Sequence, residues 1–336
     1  MSAIDVMPEE WLEMLRVEYL RGFISGGGAA VKFAVAPDEA TQIEVRSGLH
    51  RVAEEEGFLF AAVDAAKTKI HMIDHLFHEV ARQVEWDDLA RSFVSRVLVE
   101  NGYLLPADRT EFNLGQIASL NDRQEMLLRK DLNTWLENAI FRDYQMSQEF
   151  RIAMIRLCMA QLDPEGVSSF LTTAVKEWLR GELRLVSAVK QAPIVQKVGR
   201  HNARHMLFSL THWLKVNGRS GLVLALDISR YAAERRFKEV GDGLYYSTPA
   251  VMDAYEVLRQ FIDGADELEC CLIAVVAAPE FLTDERRGLN RYDALRLRIA
   301  DEVRDRRRQN PLASLIRLSS HASTPWRPAA AAEAPR

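Results

Sequence analysis

The chain has 336 residues, of which 48% are hydrophobic and 27% are charged, and this composition is typical of globular proteins. Its formal net charge of -5 excludes a general attraction to nucleic acid or anionic lipid, so either ligand would need a local basic patch. No run reaches the ~18 apolar residues that span a bilayer, and the acidic N-terminus lacks a secretory core. Two of the three cysteines are adjacent in an apolar run, which is typical of reduced thiols. We therefore expect a cytoplasmic protein without membrane contact.

The first part of the chain predicts a strand, a helix and a second strand. In chain order, the expected elements are an amphipathic helix over 8–25, a glycine turn over 26–28, a buried strand over 30–36, a helix over 41–56 and a buried strand over 58–63. Parallel sheets are built from such units. The N-terminal part therefore predicts the start of a parallel α/β core.

Long helical stretches and further buried strands follow. The expected elements are helices over 70–101, 116–184 and 202–216, a strand over 221–227, a helix over 251–263, a strand over 271–277, a helix over 292–309 and a short strand over 312–318. We divide the chain into the first half of an α/β core (1–105), a helical insertion (106–215), the second half of the core (216–318) and a Pro/Ala tail (319–336) that is predicted to be disordered.

The loop after the first strand is where an α/β core binds phosphate, because backbone N–H groups and a helix N-terminus converge there. In P-loop proteins this loop has the pattern G-x-x-x-x-G-K-[ST]. Ala36 and Thr41 stand here in place of the glycines, and Gln42 stands in place of the lysine that pairs with phosphates. Ile43 replaces the hydroxyl that holds Mg²⁺. These four residues therefore mark a degenerate phosphate loop, which Asp38 and its neighbour make still less suitable for phosphate by adding negative charge.

A second hallmark of nucleotide hydrolysis is an apolar strand that ends in Asp-Glu. The aspartate orients Mg²⁺, and the glutamate activates the attacking water. The strand over 221–227 ends in Asp227, which is a candidate Mg²⁺ ligand, but Ile228 stands at the position of the glutamate. The alternative for Asp227 is a plain cap at the end of a strand.

Segments in a characteristic order carry a resemblance to a known family. They lie at residues 10–12, 18–20, 27–33, 178–182, 202–207, 221–227, 278–281, 284–288 and 292–295, before Arg298, and span most of residues 10–318. In this order the chain resembles the ATP-binding, BrxD-like P-loop proteins of BREX phage-exclusion systems. The resemblance implies an AAA-type P-loop NTPase fold with a large helical insertion, ATP and Mg²⁺ as cofactors, and a place in a multi-protein phage-defence complex.

The departures from the family pattern bear on the expected activity. The phosphate loop is degenerate, the catalytic glutamate is Ile228, and Ala278 stands where a polar residue is expected. We therefore expect weak or absent ATP binding and a non-hydrolysing scaffold or regulatory subunit. Its partners would be other subunits of the defence complex, including an active paralogous ATPase, and DNA would be reached through the complex.

Two other functions stay open. One is an active ATPase with an unconventional phosphate site formed by Thr41, Gln42 and either Lys32 or Arg46. The other is a DNA-contacting adaptor that uses the basic helix after Arg298, where several arginines could meet phosphates.

Arg286 and Arg287 form a basic pair just beyond the strand over 271–277. A loop at the carboxyl end of a strand can project toward a neighbour, and arginine suits bidentate contact with phosphate or carboxylate. We predict that the pair belongs to a partner interface. The alternative is local ion pairing with Asp284 and Glu285.

His71, His75 and His78 recur at helical spacing, which is compatible with a Zn²⁺ site. No cysteine lies nearby to complete such a site. We therefore favour a partly buried helix face with histidines at its edge.

Overall fold

The computed structural model describes residues 5–163, 169–230, 243–300 and 309–320. Five strands form one sheet: β1 (Ala29–Val35), β2 (Phe58–Asp64), β3 (Gly221–Asp227), β4 (Cys271–Ala277) and β5 (Leu315–Arg317). Their order is β2-β3-β4-β1-β5, and every pair is parallel. The prediction of a parallel α/β core is confirmed, and β3 and β4 have the predicted bounds.

Helices cover both faces of the sheet, and this explains the uninterrupted apolar runs of its central strands. One face packs against α1 (Pro8–Met14), the π-helix that continues it (Leu15–Ile24), and α2 (Glu39–Glu55). Trp11 and Leu15 are fully buried in this layer. The predicted helix over 8–25 is therefore present, although its second half is wound as a π-helix.

Seven α-helices lie between β2 and β3 in the part of the chain that the structure describes. They are α3 (Ile73–Arg82), α4 (Trp86–Glu100), α5 (Leu114–Leu120), α6 (Glu125–Leu136), α7 (Gln148–Ala160), α8 (Ser169–Arg180) and α9 (Ala203–Val216). A π-helix (Glu137–Phe141) extends α6, and short 3-10 helices lie at Arg109–Glu111 and Val186–Val189. The apolar sides of these helices form one continuous cluster with the second face of the sheet.

The helical stretches predicted over 70–101 and 116–184 are mainly helical, but turns divide them into the separate helices α3 to α8. Between α3 and α4, the side-chain amide of Gln83 donates to the Ala62 carbonyl and accepts from the Ala62 N–H, at 2.9 Å each. The indole of Trp86 donates to the Ala81 carbonyl at 2.9 Å. Gln83 thus contacts a residue of β2, and Trp86 contacts a residue at the end of α3. Both contacts stabilise a turn that the apolar periodicity of the sequence does not show.

The last part of the chain completes the second layer. It contains α10 (Thr248–Asp263), α11 (Glu280–Thr283), a 3-10 helix (Leu289–Arg291) and α12 (Asp293–Ile299). Of the predicted helix over 292–309, α12 is present and ends at Ile299, because the backbone of Ala300 is extended. Residues 301–308 lie outside the described part. The predicted tail is described only at 319 and 320. The division into core halves and a helical insertion stays a prediction.

The N-terminal segment meets the outer edge of the sheet. Val6 forms a parallel bridge to Leu318, its N–H donates to the Arg317 carbonyl at 2.9 Å, and its carbonyl accepts from the Ser319 N–H at 2.9 Å. Asp5 and Arg317 form an ion pair at 3.2 Å. Residues far apart in the sequence thus close the β5 side of the sheet.

Across the described ranges, no helix has the length and the apolar character to cross a membrane.

Candidate functional site

A polar cavity of about 300 Å³ opens at the carboxyl ends of β2, β3 and β4, beside the first turns of α2. Ligands of open α/β sheets bind at this edge, because the connections after the strands diverge there. Gln42 from α2 and Asp227 from the end of β3 both line the cavity. Two residues that we singled out from separate motifs therefore meet at one site.

The connection between β1 and α2 is shorter than a phosphate loop. Only three residues separate the two elements, of which Ala36 is fully buried. Thr41, Gln42 and Ile43 lie in the first turns of α2 and not in a loop. This corrects our placement of the helix start at residue 41. The predicted degenerate phosphate loop is, in the structure, a tight turn followed directly by a helix.

Asp38 caps the N-terminus of α2. Its carboxylate accepts hydrogen bonds from the N–H and the hydroxyl of Thr41, both at 2.8 Å. The bond from the Thr41 N–H is the main reason that the pKa of Asp38 lies below its usual value. Helix N-termini attract anions because their first N–H groups have no partner within the helix. Here the protein's own carboxylate occupies the N-terminus of the helix that follows β1.

These residues do not fit a triphosphate at the start of α2. A bound phosphate would have to displace the Asp38 carboxylate or lie beside it, and like charges at such separations repel. The exposed Ile43 side chain offers no hydroxyl for a metal ion. Glu39, the first residue of α2, adds a further negative charge and pairs with Arg230 at 3.4 Å.

Two aspartates lie side by side at the ends of neighbouring strands. Asp64 of β2 and Asp227 of β3 are register partners, and both line the cavity. Asp64 accepts a hydrogen bond from the Ala66 N–H at 2.8 Å. Asp227 accepts from the N–H and the hydroxyl of Ser229, at 2.9 and 2.6 Å. Each carboxylate therefore uses an oxygen to fix the turn that follows its own strand.

The cationic residues considered for an unconventional site separate into two groups. Lys32 is 5% exposed, and its ammonium donates to the Leu312 carbonyl at 2.7 Å and lies 4.3 Å from the centre of the Tyr19 ring. It is not among the residues that line the cavity, so of the two cations considered for an unconventional phosphate site only Arg46 lies there. Arg46 and Lys67 do line the cavity. They face three carboxylates there, because Glu79 joins the two aspartates.

The arginine pair beyond β4 is divided between surface and interior. Arg287 is only 2% exposed, donates to the Tyr245 hydroxyl at 3.0 Å and stacks over the Tyr245 ring at 5.3 Å. Its carbonyl accepts from the Tyr255 hydroxyl at 2.6 Å. The side chain of Arg286 is exposed. Asp284 accepts from the backbone N–H groups of both arginines, at 2.7 Å each, so it shapes this turn directly.

Residues 243–247 cross the end of β2 before α10 begins. The Leu244 N–H donates to the Ala66 carbonyl at 2.7 Å. The Tyr246 hydroxyl accepts from the Ile70 N–H at 3.2 Å and lies 2.9 and 2.5 Å from the carbonyl oxygens of Ala65 and Thr68. Burial raises the pKa of Tyr246 to about 12, so the hydroxyl stays protonated at neutral pH. This segment therefore holds the turn after β2, from which Lys67 and Thr68 reach the cavity.

The three histidines do not gather into a metal site. His71 precedes α3 and packs edge-on against Tyr246, whereas His78 lies in α3 against Gly181. Burial lowers the pKa of both imidazoles, and that of His78 falls to about 4. Among the described residues, no group of three or more His, Cys, Asp or Glu side chains is arranged to hold a metal ion.

The site residues that sequence reasoning missed are Asp64 and Lys67. Asp64 carries the same signal as Asp227, because it directly follows the apolar run 58–63, and that signal could have been used. Lys67 carries no local signal, since its turn is held by contacts with Tyr246 from far along the chain.

The parallel sheet and the polar cavity at its carboxyl edge define an α/β protein with a candidate ligand site where such folds bind their ligands. A protein-family model described as "BREX system ATP-binding protein BrxC/D" matches residues 47–324, and the chain belongs to this family. No curated protein and no solved structure matches the chain. The resemblance inferred from the ordered segments is thereby confirmed.

Family membership identifies an ATPase-like component of a multi-subunit phage-defence system and suggests nucleotide binding. The matched residues begin at 47, so they include β2, β3, β4 and the helices between them but not the turn from β1 into α2.

Proposed function

We propose that this chain is a non-hydrolysing, P-loop-like subunit that acts as a scaffold or regulator in a BREX-type defence complex. The strand order, with β1 between β4 and β5 and an aspartate at the end of β3, supports an AAA-type core. Helices α5 to α8 and nearly all of α9 supply the large insertion, which we assign to residues 106–215. Its partners would be the other subunits, with an active paralogous ATPase among them, and contact with DNA would run through the complex.

The observation that carries this proposal is the Asp38 cap. A phosphate loop works because its backbone N–H groups and its lysine converge on an anion. In this chain, the Asp38 carboxylate accepts hydrogen bonds from the N–H and the hydroxyl of Thr41 at 2.8 Å, so these groups are no longer available to a phosphate. Gln42 stands where the lysine would be. The same negative charge that stabilises the helix start opposes a triphosphate at that place.

The direct test is calorimetric titration of the purified chain with Mg-ATP. We expect no binding in the micromolar range, because the phosphate ligands are replaced. An active P-loop ATPase titrated in the same buffer serves as the positive control. A micromolar dissociation constant, about 8 kcal/mol of binding free energy, would contradict the proposal, as would hydrolysis at a rate that depends on Asp227.

A second candidate is an ATPase with an unconventional phosphate site. It is favoured by one observation, namely that Gln42 and Arg46 line the same cavity as Asp227 and Lys67. The two cations of the lining, Arg46 and Lys67, could receive phosphate oxygens in place of the missing loop. In this case the titration would show binding that is lost in Arg46→Ala. The variant Arg51→Ala, on an exposed position of the same helix, is the matched control.

Arg286 is the residue that we assign to the interface with a partner subunit. Arg287 faces inward against Tyr245, so the exposed Arg286 is the member of the pair that a neighbour can reach. We expect Arg286→Ala to weaken co-purification with the other subunits or to lower the ATPase rate of an active partner. Arg291→Ala, an exposed arginine in the same segment, is the control. Unchanged association together with an unchanged rate would leave Arg286 as an ordinary surface residue.

A further inference from the structure

A second cavity, of about 580 Å³, lies among the helices between β2 and β3, away from the carboxyl edge. We call it the α6–α7 groove, because it is bounded by Arg129 of α6 and by Ile152, Ile155, Arg156 and Met159 of α7. Its lining shares no residue with the polar cavity that Asp64 and Asp227 line. The groove is therefore a separate site from the candidate nucleotide site.

The floor of the groove is an apolar stripe along one helix. Ile152, Ile155 and Met159 follow one another at helical spacing, so they lie on the same side of α7. Ile155 and Met159 are only partly buried, and Phe141, at 40% exposure, adds an aromatic wall. Partly exposed apolar groups that line one concave surface are typical of a binding site for another protein.

Two guanidinium groups stand at this apolar floor. Arg129 forms an ion pair with Glu125 at 3.1 Å, on the exposed surface of α6. Arg156 is exposed and forms no ion pair within the part of the chain that the structure describes. A guanidinium group matches a carboxylate through two parallel hydrogen bonds. Arg129 is already paired and Asp163 also lines the groove, so the preference for an acidic side chain on whatever binds there comes from Arg156.

An amphipathic helix with acidic residues beside its apolar face would match both the apolar floor and the guanidinium group of Arg156. Helices bind in grooves by placing apolar anchors at i, i+3 or i+4, and i+7, and this spacing complements the stripe on α7. Nucleic acid fits less well, because a phosphate backbone would leave the apolar floor without contacts. Membership of a family of multi-subunit defence systems supplies the class of partner, namely another subunit of the assembly.

We propose that the α6–α7 groove is a docking site for an amphipathic helix of another subunit of the defence system, with Asp or Glu residues beside its apolar face. Ile155 and Met159 contact the apolar anchors of that helix, and Arg156 pairs with one of its carboxylates. This site is independent of ATP binding, so its test does not depend on the outcome of the Mg-ATP titration.

The experiment uses the complete chain co-expressed with the other subunits of its defence system. Arg156→Glu reverses the charge at an exposed position, and Ile155→Asp places a charge on the floor. We expect each to lower the yield of co-purified partner by about tenfold, because buried anchors and their charge partners dominate interfaces. Arg219→Glu and Phe170→Asp change exposed residues outside the groove and should leave the yield unchanged.

A photo-reactive phenylalanine analogue at Met159 identifies what lies in the groove. We expect cross-links to one segment of one partner subunit, with helical apolar spacing and acidic residues beside it. An Asp or Glu of that segment changed to Arg should restore binding to Arg156→Glu. Unchanged association of both groove variants at an unchanged thermal midpoint would overturn the proposal. Cross-links confined to DNA or to this chain's own residues 321–336 would overturn it as well.

Discussion

Gly221, the first residue of β3, should be one of the least replaceable positions in this fold. Its φ is +136°, and a Cβ atom placed on it would lie 1.9 Å from the carbonyl oxygen of Cys270. That oxygen accepts the hydrogen bond of the Leu222 N–H at 2.8 Å, at the point where β3 enters the sheet. The added methyl group of Gly221→Ala therefore meets backbone and not a mobile side chain.

The expected loss of stability combines three effects. A non-glycine residue in this region of φ costs about 1–2 kcal/mol. Moving the backbone of Gly221 away from that of Cys270 costs about 1–3 kcal/mol more, as overpacking does in other cores. Weakening the bond between Leu222 and Cys270 costs about 1 kcal/mol. We expect Gly221→Ala to lower the free energy of unfolding by about 3–6 kcal/mol, a large part of the ~5–15 kcal/mol typical of a folded protein.

Gly218→Ala is the matched control. Gly218 also has a positive φ, of +75°, but a Cβ atom there would meet nothing within 4 Å. The Gly218→Ala variant should therefore lose only the free energy that a non-glycine residue costs at this φ, about 1 kcal/mol. The measurement is urea denaturation of both variants and the parent, followed by circular dichroism, with the slope m used to check that the transition is comparable. Equal midpoints for the two variants would refute the steric argument.

Two further predictions concern the surroundings of the cavity. Tyr246→Phe leaves the buried Ile70 N–H and two carbonyl groups without their hydroxyl partner, so the free energy of unfolding should fall by about 2 kcal/mol; an unchanged urea midpoint would show that the hydroxyl does not hold this turn. Burial lowers the pKa of His78 from 6.5 to about 4, so folding favours its neutral form. Stability should therefore be complete above pH 6.5 and should decline as the pH falls toward 4. A His78→Gln variant should show a flatter dependence of the urea midpoint on pH, and an equally steep one would assign the decline to other groups.

Glu256 contributes to the dependence of stability on pH only below pH 4.5. Hydrogen bonds, first of all from Arg259, lower its pKa from 4.5 to about 2, so its stabilising effect is lost only below pH 4.5. The pKa of His71 is also lowered by burial. The His78→Gln variant should therefore retain a residual slope between pH 6.5 and 4.5.

The central strands were predictable because their signal is local. β3 runs from Gly221 to Asp227 and β4 from Cys271 to Ala277, two residues before Pro279. Both are apolar runs, and both were found at their predicted bounds. The helix breaks were not predictable in this way. Gln83 ends α3 by bonding to Ala62 of β2, a contact that the amphipathic pattern of α3 does not contain.

The candidate site was predictable only in part. The position of Asp227 at the carboxyl edge followed from its strand, because parallel strands place their carboxyl ends on one side of the sheet. Asp38 was interpreted only as a repulsive charge, although aspartate before a helical segment is also a common N-cap. The inward position of Arg287 depends on Tyr245 and Tyr255, which no spacing along the chain relates to it.

The N-terminal bridge at the β5 side has a consequence for association between copies of the chain. β5 is a short outer strand, and an outer strand with unpaired backbone groups is a template for intermolecular β-pairing and aggregation. Val6 lies beside this strand. Its N–H donates to the Arg317 carbonyl, and its carbonyl accepts from the Ser319 N–H, at 2.9 Å each. Its side chain is buried with that of Leu318 at the same place. The segment around Val6 thus protects the sheet from edge-to-edge growth.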